Sequence, residues 1–181
     1  LFKSLSYDVC TVDMDEKGMK VADLKSSGAD IAFVMPSHQY PLGIVMPMKR
    51  RMELLKWAAK DPARYIIEDD YFNDSSHIPK YEPLSYYANF DRCVYLKSYS
   101  KLFPFIRIGY AVVCDALLDT FKEAIEHSYF TSYQMPSLVS QATLEAAIRS
   151  DILQNNAGTL SDRLHEKIKT LNMITRKWDP T

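Results

Sequence analysis

Three short stretches combine residue types that can do chemistry. Ser98-Tyr99-Ser100-Lys101 is followed by Arg107, six residues after the lysine. Two hydroxyls and a guanidinium around one turn can hold a phosphate through charge-assisted hydrogen bonds. A lysine among them is placed to act as a nucleophilic amine or to form an imine. The second stretch is Glu68-Asp69-Asp70-Tyr71. A carboxylate there could ligate a metal, act as a base, or pair with a protonated ring nitrogen. The third is Ser37-His38-Gln39-Tyr40-Pro41-Leu42-Gly43, polar and punctuated by proline. Taken singly, each also reads as ordinary surface: a solvated loop with a lysine, an exposed acidic turn, a loop histidine. His38, His77, His127 and His165 form neither a zinc pattern nor a Ser-His-Asp triad by spacing.

The elements that must position these stretches alternate in type. Tyr7–Asp13 reads as a strand, then a turn at Asp15–Gly18 and a short helix over Met19–Ser26, ended by Gly28. Asp30–Met35 is an apolar strand that runs into the proline-punctuated loop. Pro47 opens a helix over Met48–Lys60, since proline suits a first helical position, with Met48, Met52, Leu55 and Ala59 as its apolar stripe. Arg64–Glu68 is the strand that delivers Asp69, Asp70 and Tyr71. A polar loop with a tyrosine-rich short helix continues through Tyr87. Arg92–Lys97 is the strand that delivers Ser98, and Ile106–Val113 is a further strand. Helices follow: one with Leu117, Leu118, Phe121 and Ile125 on a stripe, one over Leu138–Leu153, and one from a Thr159 cap through Leu160, Leu164, Ile168, Leu171, Thr175 and Trp178. The expected fold class is α/β, a mostly parallel sheet flanked by helices with a long C-terminal helix. In such sheets ligands sit beyond the carboxyl ends of the strands, where all three stretches fall.

Composition narrows the class. Of 181 residues, 47% are hydrophobic and 25% charged, ordinary for a globular protein and unlike a disordered one. Five glycines are few against a usual share of about 7%, and there is no glycine-rich phosphate loop. The net charge of −1 lacks the basic excess of a nucleic-acid-binding domain, so this segment is not expected to bind DNA itself. No apolar run is long enough to span a membrane and no signal-peptide pattern is present. Cys10, Cys93 and Cys114 are scattered, which fits reduced cytoplasmic thiols.

Together the three stretches, P-S-H-Q-Y-P-L-G-I-V-M-P at 36–47, I-I-E-D-D-Y at 66–71 and S-Y-S-K-L-F-P-F-I-R-I-G-Y at 98–110, resemble the fold-type-I pyridoxal-phosphate enzymes of the aminotransferase superfamily. The S-H-Q-aromatic-P form resembles most the aminotransferase-like domain of MocR-type regulators in the GntR family. The resemblance implies roles by residue. Lys101 matches the catalytic lysine that joins pyridoxal 5'-phosphate through an imine and later moves a proton. Asp69 matches the carboxylate that keeps the pyridine nitrogen protonated, and Tyr71 the tyrosine that donates to the ring's phenolic oxygen. Ser98, Ser100 and Arg107 match phosphate-side ligands, and His38–Pro41 takes the place of the family's Asn-Pro turn beside the ring. No metal is implied. In two respects the chain departs from the family: the arginine comes six positions after the lysine rather than seven, and Phe105 stands where a glycine is usual.

The resemblance implies part of a large domain. Residues 1–155 correspond to a partial cofactor-binding large domain and 156–181 to a helix connecting to a small domain. The family's phosphate loop and the arginine for the substrate carboxylate fall outside these stretches, and Leu1 suggests that the chain begins inside a longer protein. The isolated segment is therefore expected to be inactive as a transaminase. The implied protein is a cytoplasmic, homodimeric transcription regulator that senses an amino acid or vitamer and binds DNA through a helix-turn-helix elsewhere. A free-standing aminotransferase acting on amino acids and 2-oxo acids is the alternative, and a cofactor-less dimerisation scaffold the second.

Overall fold

The structure, a computed structural model, describes residues 2–71, 82–89, 91–132 and 136–176, with the backbone alone for 128–132. The expected loop over 72–81, and Trp178, lie outside these residues. The strands are β1 (Met14–Asp15), β2 (Gly18–Met19), β3 (Ile31–Val34), β4 (Tyr65–Asp70), β5 (Cys93–Ser98) and β6 (Gly109–Val112). The helices are α1 (Val21–Ser26), α2 (Met48–Ala58), α3 (Leu84–Tyr87), α4 (Asp115–Ser132), α5 (Leu138–Arg149) and α6 (Ile152–Thr175). Among the described residues no helix is long and apolar enough to cross a membrane. The chain divides into two compact units, one holding residues 2–70, 82–89, 91–97 and 111–127, the other residue 71, 98–110 and 128–176 apart from 133–135.

The strand order of the main sheet is β3-β4-β5-β6, with β3, β4 and most of β5 in the first unit. β3 pairs with β4 and β4 with β5, both in parallel. Parallel neighbours need a crossover, and α2 supplies it between β3 and β4. β4 alternates strictly: Ile66, Glu68 and Asp70 are buried, while Tyr65, Ile67 and Asp69 are half-buried. The buried side meets Val21 and Leu24 of α1, Leu54, Leu55, Trp57 and Ala58 of α2, and Leu84 of α3. Fully burying a side chain such as Leu54 contributes roughly 2 kcal/mol.

The inward face of α2 is Arg51, Leu54, Leu55, Trp57 and Ala58. It is not the expected stripe of Met48, Met52, Leu55 and Ala59, for Met52 is 38% exposed. Trp57 and Leu54 offer more apolar surface than the methionines, and turning them inward carries Arg51 with them. The expected strand over Tyr7–Asp13 does not form, because these residues find no ladder partner and lie mostly exposed. A two-residue hairpin of β1 and β2 follows instead, closed by Gly18 at φ 89. Arg50 of α2 grips it by pairing with both carboxylate oxygens of Asp15 and donating to the Gly18 carbonyl at 3.1 Å.

The second unit is built on a small cluster of Leu102, Phe103, Ile106 and Ala147, flanked by Leu144 of α5 and Leu153, Ala157 and Leu160 of α6. Asn156 of α6 donates to the Leu102 carbonyl at 2.8 Å. The helical stretch expected to reach Leu153 breaks earlier. Asp151 adopts φ 57 and starts α6, which leaves Thr159 inside the helix, donating to Asn155. The expected strand from Ile106 is shortened to β6, because Ile106 turns into this cluster at 1% exposure.

Candidate functional site

The carboxyl ends of β3, β4 and β5 carry the three stretches. β4 runs two residues further than its sequence suggests, so Asp69 and Asp70 lie within the strand, paired in register with Leu96 and Lys97 of β5. Strand alternation then separates the three acids. Glu68 and Asp70 face the core beside α2 and α3, and Asp69 faces the opposite side of the sheet.

Glu68 is fully buried, and its Oε2 accepts from the Leu84 N–H at 2.7 Å. Burial pushes its carboxyl up to about 7, although the Arg51 guanidinium stands 4.0 Å away. Burial prevails because that separation is too long for a hydrogen bond and the Arg51 donors are directed at carbonyls. Asp70 is also buried, and its Oδ2 accepts from the Tyr95 hydroxyl at 2.6 Å. The Asp69 carboxyl is pushed above the ordinary range by burial, and secondarily by the neighbouring charge of Asp70. A cation beside Asp69 would offset both effects.

Arg51 is the residue of this unit whose importance the sequence reading missed. Its Nε donates to the Met46 carbonyl at 2.9 Å and its Nη2 to the Pro36 carbonyl at 2.9 Å. The Met46 N–H also donates to Pro36, at 2.8 Å, so the loop is closed where it leaves β3 and where it enters α2. Within the loop, Gln39 and Ile44 form an antiparallel bridge, and Gly43 takes φ 70, which only glycine adopts freely. The Tyr40-Pro41 bond is cis. An arginine among the apolar residues of a helix face was the available signal, since such a group must find partners when buried.

In the second unit the turn after β5 is shaped from beneath. The N–H groups of Leu102 and Phe103 both donate to the Tyr99 carbonyl at 3.0 Å, and Ile106 donates to Phe103 at 2.9 Å. Leu102, Phe103 and Ile106 are buried, so Lys101, Phe105 and Arg107 stay exposed on either side of them. Ser98, the last residue of β5, accepts at Oγ from the Ser100 N–H at 3.2 Å and keeps its own proton. The Ser100 hydroxyl donates to the Ile106 carbonyl at 3.1 Å. The Lys101 Nζ stands 6.0 Å from the centroid of the Tyr71 ring. The two serines, and Lys101 with Tyr71, are thus brought together within this unit. Arg107 follows directly on the carbonyl that anchors Ser100. A cavity of about 430 Å³ in the same unit is lined by Ile108, Gln141, Leu144, Glu145, Ile148 and Arg149, and by none of the expected site residues. Among the described residues no group of three or more metal-ligating side chains could hold a metal ion.

Residues 6–178 match the family described as aminotransferase class I and II. The HTH-type transcriptional regulator YdeL of Bacillus subtilis is 29% identical over 92% of the chain, and the chain covers 35% of that protein. The probable rhizopine catabolism regulatory protein MocR of Rhizobium meliloti is 34% identical over 72% of the chain, which covers 26% of it. Among solved structures, the α-aminoadipate aminotransferase LysN of Thermus thermophilus superposes with a TM-score of 0.77 at 20% identity, over 92% of this chain and 44% of that one. The chain therefore spans less than half the length of each.

Proposed function

Because the chain belongs to the class I and II aminotransferase family, we propose that it is the pyridoxal-phosphate-binding, aminotransferase-like effector domain of a MocR-type, GntR-family transcription regulator. The observation that carries this reading is the Asp69 carboxyl, half-buried at the carboxyl end of a parallel strand and raised by its surroundings. Such an acid is suited to a cationic ring nitrogen. The regulatory half of the reading rests on the similarity to YdeL and MocR.

The residues present fit the cofactor. Asp69 would pair with the protonated ring nitrogen, and Tyr71 would donate to the phenolic oxygen. Ser98, Ser100 and Arg107 would take the phosphate, and the Lys101 amine would hold the aldehyde carbon and carry protons. When bound, pyridoxal phosphate supplies an electron sink for carbanion chemistry at an amino-acid α-carbon. Of the two serines, Ser98 is the readier phosphate donor, because Ser100 already spends its proton on Ile106.

In this reading residues 1–155 form the cofactor-binding portion of a large domain and 156–181 lead toward a small domain. The whole protein is a cytoplasmic homodimer that senses an amino acid or vitamer and binds DNA through a helix-turn-helix outside this chain. Little or no transaminase turnover is expected of the chain alone. The test is a titration of the full-length protein with pyridoxal phosphate. A visible absorbance band that is stoichiometric with the chain and absent in Lys101→Ala supports the reading. A wild type without the band overturns it.

A further inference from the structure

We propose that Arg51 is a positioning residue for the cofactor site: from α2 it clamps both ends of the 36–46 loop, which leaves the sheet beside Asp69 of β4. The inference rests on the cofactor reading above and adds to it a residue that touches no reacting atom.

The geometry is specific to an arginine. Three nitrogens of one fork reach three pieces of chain. Nε holds the Met46 carbonyl and Nη2 holds the Pro36 carbonyl, each at 2.9 Å. Nη2 also lies 3.4 Å from the Ser37 hydroxyl. Nη1 stands 3.5 Å from the Glu82 carbonyl, just before α3, and 4.0 Å from Glu68, next to Asp69 in β4. The side chain is 1% exposed, so the guanidinium depends on these acceptors rather than on water.

β3 and β4 are parallel neighbours with Val34 opposite Glu68. The loop therefore leaves the sheet directly beside Asp69, at the edge where ligands of such sheets sit. Without Arg51 the loop would keep its internal bridge and the Met46–Pro36 bond. It would lose the two bonds by which one side chain holds its ends, at Pro36 and Met46, together. A lysine keeps the charge but has one point of attachment, and it cannot bridge both carbonyls in one plane.

The experiment uses the full-length protein, its Arg51→Lys and Arg51→Met variants, and pyridoxal phosphate as the probe. Three quantities are read: thermal midpoint without cofactor, amide exchange across 36–46 without cofactor, and the dissociation constant from the visible band. For Arg51→Lys we expect faster exchange confined to 36–46 and 82–84, and binding weaker by about tenfold or more. We expect weakened binding even where the thermal midpoint is largely restored relative to Arg51→Met. Should Arg51→Met fail to fold, Arg51→Lys decides. If Arg51→Lys binds the cofactor as the wild type does, or exchange in 36–46 is unchanged, the inference is overturned while the cofactor reading stands. If the wild type shows no band, the cofactor reading fails and the inference goes with it.

Discussion

Glu68→Gln tests whether the acid next to Asp69 is a stored cost in the fold. In the folded chain burial pushes the Glu68 carboxyl to about 7, from an ordinary value of 4.5. The folded state therefore holds this proton more tightly than the unfolded state does. The associated stability is fully present below about pH 4.5 and is lost as pH rises through about 7. At about 1.4 kcal/mol for each pH unit of displacement, the loss is on the order of 3 kcal/mol, a large part of a typical domain's stability. Glutamine is neutral at every pH and can still accept from Leu84 through its amide oxygen. Urea unfolding of both proteins at about pH 5 and about pH 8 isolates the effect. Asp69 also has a raised carboxyl and adds a loss of the same sign, but it is common to both proteins and cancels. Similar stabilities are expected at the lower pH, and a variant more stable than wild type by about 3 kcal/mol at the higher. Parallel profiles for the two proteins would refute the argument, and would mean that Arg51 at 4.0 Å compensates the buried charge after all.

Other outcomes follow from the same geometry. Asp69→Asn should weaken pyridoxal phosphate binding by about tenfold to a hundredfold, the worth of a hydrogen bond to a charged group, as read by absorbance titration. Ser98→Ala should weaken cofactor binding more than Ser100→Ala, because only Ser98 has a proton not already donated within the turn. Ile106→Ala should destabilise the second unit by about 2–5 kcal/mol, with faster amide exchange across 99–107. Asp15 is held down to about 2, first by its hydrogen bond from Arg50. Its contribution is present above about pH 4 and is lost as pH falls through about 2. Asp15→Asn should accordingly be less stable than wild type near neutrality, and the difference should close on acidification in a pH series of thermal melts.

The sequence revealed the strand ends more readily than what lies beneath them. Asp69, Tyr71, Ser98 and Lys101 stand out because acids, hydroxyls and a lysine directly after apolar runs break the local pattern. The order of strands and helices was legible for the same reason. What escaped was set by tertiary partners. The stripe of Met48, Met52, Leu55 and Ala59 was a plausible inner face by periodicity. The face actually buried is fixed by Trp57, which fills the core, and by carbonyls at Pro36 and Met46 that accept from Arg51. Tyr7–Asp13 has strand-like residues but no neighbour to pair with. The break between α5 and α6 rests on a single non-glycine residue at positive φ, Asp151, and no glycine or proline marks it.

The acidic run at 68–70 shows how one strand can turn a patch of charge into three different environments. A loop would expose all three carboxyls alike. Within β4 the two-residue period sends Glu68 and Asp70 inward, where a backbone N–H and a tyrosine hydroxyl meet them. Asp69 is sent to the other side, where burial is partial and the neighbouring Asp70 still acts through the backbone separation. An acid so placed gains most from a cation that it can approach from outside the core. The core-facing pair does the complementary work: Glu68 ties β4 to α3 and faces Arg51, and Arg51 holds both ends of the 36–46 loop. The buried side of the sheet thus fixes where the strand ends lie, and the opposite side carries the acid assigned to the cofactor. A slip of β4 by one residue would exchange the two sets, leaving Asp69 against the core and Glu68 and Asp70 on the opposite side. The five-residue register with β5, from Ile66 opposite Cys93 to Asp70 opposite Lys97, is what opposes that slip.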